Sequence, residues 1–154
     1  MKICSGFTFL LFILLAQPAN AQGLFEPDPS LPPERVIEIQ LQSLQMNDVP
    51  TQDTGITQTW VFAHPDNKSV TRPLERFILM IKGPSFHMLL NHREHQVQPL
   101  ALTEDYALFA VKITTANNHK VTYKWELSKV SSGEFAGSWM TTSVSFPLLM
   151  DDAV

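Results

Sequence analysis

Beyond His95 the apolar residues stop recurring every third or fourth position and begin to recur every second. That switch constrains the fold more than any other feature of the chain. Ala107, Phe109, Val111 and Ile113 alternate with Leu108, Ala110, Lys112 and Thr114. Val121, Tyr123, Trp125 and Leu127 then alternate with Thr122, Lys124, Glu126 and Ser128. A period of two places alternate side chains on opposite faces of a strand, so each run has one apolar and one polar face. Asn117-Asn118 lies between the runs and tolerates positive φ, which suits a tight hairpin. A first strand is expected over 96–103 and a last one over 138–146, after a turn at Ser131-Ser132-Gly133.

Before the switch the period is helical. Pro33 suits a first helical turn and Glu34 its positive end. Ile37, Leu41 and Leu44, with Val36 beside them, form the apolar stripe of a helix ending near Asn47-Asp48. Ile56, Trp60 and Ala63 fit a short second helix, capped by Asp53 or Thr54. His64-Pro65-Asp66-Asn67 reads as a loop. Leu74, Phe77, Ile78 and Ile81 mark a third helix, stopped by Gly83-Pro84, and 86–91 adds one more turn. Helices first and antiparallel strands afterwards define an α+β fold. About three helices are expected on one face of a curved four-stranded sheet.

The chain opens with Lys2, an apolar run over 7–16 and an Ala-x-Ala site at Ala19-Asn20-Ala21. This is the pattern of an export signal cleaved after Ala21. The run is too short to span a bilayer, which takes about 20 apolar residues. Cys4 is the single cysteine and leaves with the leader, so a secreted or periplasmic chain would fold without a disulfide. Loss of Lys2 moves the formal charge from −4 to −5. With no lysine or arginine cluster, nucleic acid is excluded as a partner, and no second apolar run offers a membrane span. The expected organisation is a leader at 1–21, a proline-rich extended spacer at 22–33, one domain at 34–148 and a tail at 149–154.

Three helices leading to such a sheet, with Gly137-Ser138-Trp139 opening its last strand, resemble the nuclear transport factor 2-like superfamily. More narrowly, the chain is similar to a domain family of unknown function found in bacteria and plants. The stretches that carry the likeness are 36–48, 60–67 and 71–77, then Lys82-Gly83-Pro84 and 89–92. Arg72, Phe86 and Met140 depart from that pattern, standing where glycine, tyrosine and arginine are usual. The resemblance implies a cone-shaped scaffold. It does not choose a function, because the superfamily holds isomerases, dehydratases, transport factors and non-catalytic binders.

Three kinds of chemistry remain open. His87, His92 and His95, with Glu94, have a spacing that metal sites use, but surface or supporting roles account for them better. No metal and no cofactor is expected. A small lyase or isomerase would need an acid/base group in the cone, for which His87, His92 and Tyr106 are candidates, with Asp105 or Glu104 nearby. A binding module asks less: Trp60, Phe77, Met80, Phe86, Tyr106 and Trp125 would line an apolar pocket, with His87 and His92 at its polar edge. The expected partner is then a small apolar ligand or a protein. A homodimer would use the open sheet face, through Thr122, Lys124, Glu126, Thr141 and Ser143. Asn67-Lys68-Ser69 is a glycosylation sequon, read here as fortuitous. A non-catalytic binding or interaction module is the favoured reading.

The export signal makes a direct prediction. Mass spectrometry of the protein from its native host should find Gln22 at the N-terminus, free or as pyroglutamate. Full-length chain retained in the cytoplasm would refute it.

Overall fold

The computed structural model describes residues 23–149; the leader and its cleavage site lie outside them. The elements in chain order are α1 (Pro33–Gln45), α2 (Thr54–Val61), α3 (Pro65–Thr71) and α4 (Leu74–Ile81). A 3-10 turn at His87–Leu89 leads into β1 (Glu94–Leu102), β2 (Tyr106–Thr114), β3 (Lys120–Lys129), β4 (Trp139–Val144) and β5 (Leu148–Leu149). The fold is α+β, with β1 to β4 forming an open antiparallel sheet in sequence order. Among the described residues no helix is long and apolar enough to cross a membrane.

Burial follows the alternation in β2 and β3. Ala107, Phe109, Val111 and Ile113 are buried together with Val121, Tyr123, Trp125 and Leu127, while Lys112 and Lys124 are exposed. Register pairs Phe109 with Trp125 and Val111 with Tyr123 across the strands. These side chains join Val36, Ile37, Leu41 and Leu44 of α1, Ile56 of α2 and Phe77 and Ile81 of α4 in one core. Asn118 takes a positive φ of 65° in the turn between β2 and β3, as an Asn-Asn pair allows.

Several elements depart from the sequence reading. The run at 64–67 is not a loop but the start of α3. His64 is the N-cap, its Nδ1 accepting from the Asp66 amide at 3.2 Å, and Pro65 occupies the first helical position. Proline followed by Asx fits a helix start as well as a turn. Among the described residues four α-helices are therefore present rather than three. At α2, Asp53 holds the N-cap position but makes no side-chain cap hydrogen bond. Asn47, buried beyond the end of α1, accepts the Gly55 amide at its carbonyl (2.9 Å) and the Ile56 amide at Oδ1 (3.0 Å). The two helices meet backbone to backbone there: a Cβ on Gly55 would overlap the Ser43 carbonyl and lie 2.9 Å from Asn47 Cα.

The proline-rich segment is extended but docked. Gln58 donates to the Phe25 carbonyl (2.9 Å) and accepts its amide (2.7 Å), and Leu31 packs on the core. The last strand is interrupted at 145–147. The Ser145 hydroxyl there accepts the Lys124 amide at 2.9 Å, and Pro147 has no amide to offer. Pairing with β3 resumes at β5, across the boundary expected at 148. The outer edge of β4 is covered by the α2–α3 connection, where Thr141 donates to Phe62 O and accepts from the His64 amide, both at 2.8 Å. Edges covered in this way cannot template pairing with another chain.

Trp125 and Lys124 stand on opposite faces of β3, which makes a paired test of the architecture. Trp125→Ala should cost about 3–5 kcal/mol in chemical denaturation, because it empties a fully buried site. Lys124→Ala should cost under about 0.5 kcal/mol. Similar small costs for both would contradict this assignment of faces.

Candidate functional site

A cavity of about 240 Å³ lies among α3, α4, the 3-10 turn and the strands β3 and β4. Its apolar wall includes Leu44, Phe77, Met80, Phe86, Leu89 and Trp125. The amphipathic period of α4 brings Phe77 and Ile81 to the core side, while Met80 stays half-buried at the mouth. Phe86 is held between Tyr123 and Phe146, with ring centroids 6.4 and 6.3 Å away. The Tyr123 hydroxyl donates to Ser85 O at 3.1 Å, and burial pushes its pKa up to about 12. It is a neutral donor at any physiological pH.

The polar side of the cavity is a single hydrogen-bonded chain. Trp125 Nε1 donates to Thr141 Oγ1 at 3.0 Å, Thr141 donates to Gln40 Oε1 at 2.7 Å, and Gln40 Nε2 donates to Thr59 O at 3.2 Å. Asn67 Nδ2 joins it by donating to Thr141 O at 3.2 Å, and Asn67 Oδ1 accepts from Thr71 at 3.1 Å. Asn67 of the sequon is thus half-buried and engaged in the wall. Among the described residues that line this cavity, none has an ionisable side chain.

Thr141 was expected on the open face of the sheet with Ser143, and it is buried on the opposite side. The cause is a β-bulge. Glu126 pairs with Ser143 and Leu127 with Thr141, so one extra residue, Thr142, sits between them. An inserted residue shifts the alternation by one and turns the next side chains over. The remaining open face is mixed in charge: Lys112, Lys124 and Ser143 are exposed, while Thr122 and Glu126 are half-buried.

Of the pocket residues expected from sequence, Phe77, Met80, Phe86 and Trp125 line this cavity. The others do not. Trp60 packs on Phe77 at 5.0 Å with Lys68 above its ring at 5.5 Å. Burial pulls the Lys68 pKa below its usual value. His87, Glu104 and Asp105 are exposed, and Tyr106 starts β2 on the sheet's outer face, opposite Ser128. Gln40, Thr59 and Asn67 went unrecognised. Gln40 alone carried a signal, as a polar residue set in the apolar stripe of Val36, Ile37, Leu41 and Leu44.

His92 is buried away from the cavity, in a second chain. Its Nδ1 lies 2.7 Å from Leu89 O and its Nε2 2.8 Å from His95 Nδ1, while His95 Nε2 lies 3.2 Å from Glu38. The two rings meet edge to face. Among the described residues no group of three or more His, Cys, Asp or Glu is gathered to hold a metal ion. His92 and His95 aim at one another instead. Two neutral imidazoles carry two N–H protons, and the chain has three bonds to fill. Neutral, the pair can fill two of the three at once. Burial holds the His92 pKa below 6.5, which keeps that ring neutral and able to accept.

Comparison with protein-family models, curated proteins and solved structures finds no match to this chain. Its chemistry has to be read from its own residues.

The His92 shift predicts a pH profile. Unfolded His92 binds a proton near pH 6.5 and folded His92 only at lower pH, so the unfolded chain holds more protons between the two values. Stability should be full above about pH 6.5 and decline as pH falls through that window. His92→Gln should lose this component of the slope, read from urea midpoints between pH 5 and 7.5. Identical slopes in both proteins would show that His92 is not held neutral.

Proposed function

We propose that this chain is an exported, non-catalytic binding module that holds a small neutral apolar molecule. Its scaffold is a cone of the nuclear transport factor 2-like kind, with the helices closing one face of the sheet. The leader pattern supports export, and the order of helices before an antiparallel sheet supports the scaffold. One observation carries the binding reading: a cavity with an apolar wall, a hydrogen-bonded polar side and no ionisable lining residue. A volume of about 240 Å³ exceeds the 150 Å³ or so of an engineered apolar cavity that accepts benzene. A charged guest would lose its hydration there without gaining a counter-charge, which costs several kcal/mol or more.

The alternative, a small lyase or isomerase, requires a proton donor or acceptor within about 3 Å of the substrate. His87, Glu104 and Asp105 are exposed, and His92 is committed to His95 and Leu89 O. The mixed charge of the open sheet face gives an interaction surface or homodimer no comparable support.

Toluene is a suitable first probe. Near ten times its dissociation constant it should raise the melting temperature by roughly 5 °C. Val70→Trp, a substitution at the half-open mouth where Val70 is 66% exposed, should leave the unliganded melting temperature nearly unchanged and remove that shift. No shift with toluene in the unaltered protein would refute a ligand cavity.

A further inference from the structure

We infer that Gln40 selects the ligand, and that the molecule held in this cavity carries a neutral, carbonyl-type oxygen that accepts a hydrogen bond from the Gln40 carboxamide. The inference rests on the binding reading above and deepens it.

The orientation of the Gln40 amide is set by its neighbours. An indole N–H can only donate, so Thr141 Oγ1 must accept from Trp125 Nε1. Its own hydrogen goes to Gln40 Oε1, 2.7 Å away. Gln40 Nε2 faces Thr59 O, and the opposite amide orientation would set two acceptors, Gln40 Oε1 and Thr59 O, against each other. The Thr59 carbonyl, which can only accept, therefore fixes which end of Gln40 is the donor.

A carboxamide nitrogen has two hydrogens, and among the described residues Gln40 Nε2 makes one bond, to Thr59 O. Gln40 is buried among the residues that line the cavity, and its second hydrogen is assigned to the cavity's occupant. Asn67 repeats the pattern at the mouth. Its oxygen accepts from Thr71 and one Nδ2 hydrogen goes to Thr141 O, which leaves one N–H over. Both carboxamides thus have their oxygens engaged and a donor in reserve. An apolar guest with no acceptor would leave the buried Gln40 donor unsatisfied, a penalty that an acceptor oxygen removes. A carboxylate would satisfy the donor but bring an uncompensated charge, and an ammonium would bring further donors.

The test compares acetophenone with ethylbenzene, which has nearly the same shape and no acceptor. Mature protein labelled with nitrogen-15 is titrated with each, and affinity is read from amide shifts of cavity residues. Acetophenone should bind roughly 3- to 10-fold more tightly, the worth of one net hydrogen bond. The Gln40 side-chain NH₂ signals should move with acetophenone and stay in place with ethylbenzene. Gln40→Met should bring the two affinities to within about twofold, within the scatter of measured hydrogen-bond contributions. Equal affinities in the unaltered protein, with a still Gln40 signal, would overturn the role of Gln40 and leave the cavity reading intact. Failure of both probes to bind would overturn the two together. Should Gln40→Met not fold, the unaltered protein's affinity ratio and Gln40 signals decide the matter alone.

Discussion

The hydrogen-bond chain from Trp125 through Thr141 and Gln40 to Thr59 ties the sheet to the first two helices. It begins on β3, crosses β4 and α1, and ends on the backbone of α2. Thr141 carries the most: its side chain accepts and donates once each, while its backbone pairs with Phe62 and His64 and receives Asn67. Buried polar groups in low dielectric are costly when unpaired and strong when paired, so such a chain favours one arrangement of sheet and helices over near alternatives. The same atoms form the polar side of the cavity. Fold and candidate site are therefore not separable here, because the residues that register the layers also face the pocket.

How much of this was legible depends on whether the signal is periodic. The alternation over β2 and β3 places Phe109, Tyr123 and Trp125 on the inner face because period two leaves no choice. The stripes of α1 and α4 are equally plain. The bulge at Thr142 has no such signature: Thr141-Thr142-Ser143 reads as a regular strand, and one inserted residue reverses the face of Thr141. α3 was lost because Pro65-Asp66-Asn67 fits a turn and a helix start alike. Asn47 acts on amides eight and nine residues ahead, and no local pattern predicts a cap from that distance.

The candidate site was half legible for the same reason. Aromatic and apolar members, Phe77, Phe86 and Trp125, can be guessed from their faces. The polar members depend on tertiary contacts such as Gln40 with Thr141, which are 101 positions apart. The histidines were conspicuous in sequence yet belong to a different construction. His92 and His95 join the start of β1 to Glu38 of α1 and line no part of the cavity. A cluster of titratable residues is thus no guide to the site when its members satisfy one another.

Asn67 gives this geometry a bearing on biogenesis. Its side-chain nitrogen, the atom to which an oligosaccharide would be attached, already bridges α3 to β4. Glycan transfer takes place on emerging, unfolded chain, before such a bridge exists. In a eukaryotic secretory pathway, modification and closure of this wall would therefore race each other, and each molecule would record the winner. A sugar attached first would have to be housed where α3 meets the sheet, so the product would be two populations differing at one wall of the pocket. A bacterial envelope without that transferase would deliver only the closed form.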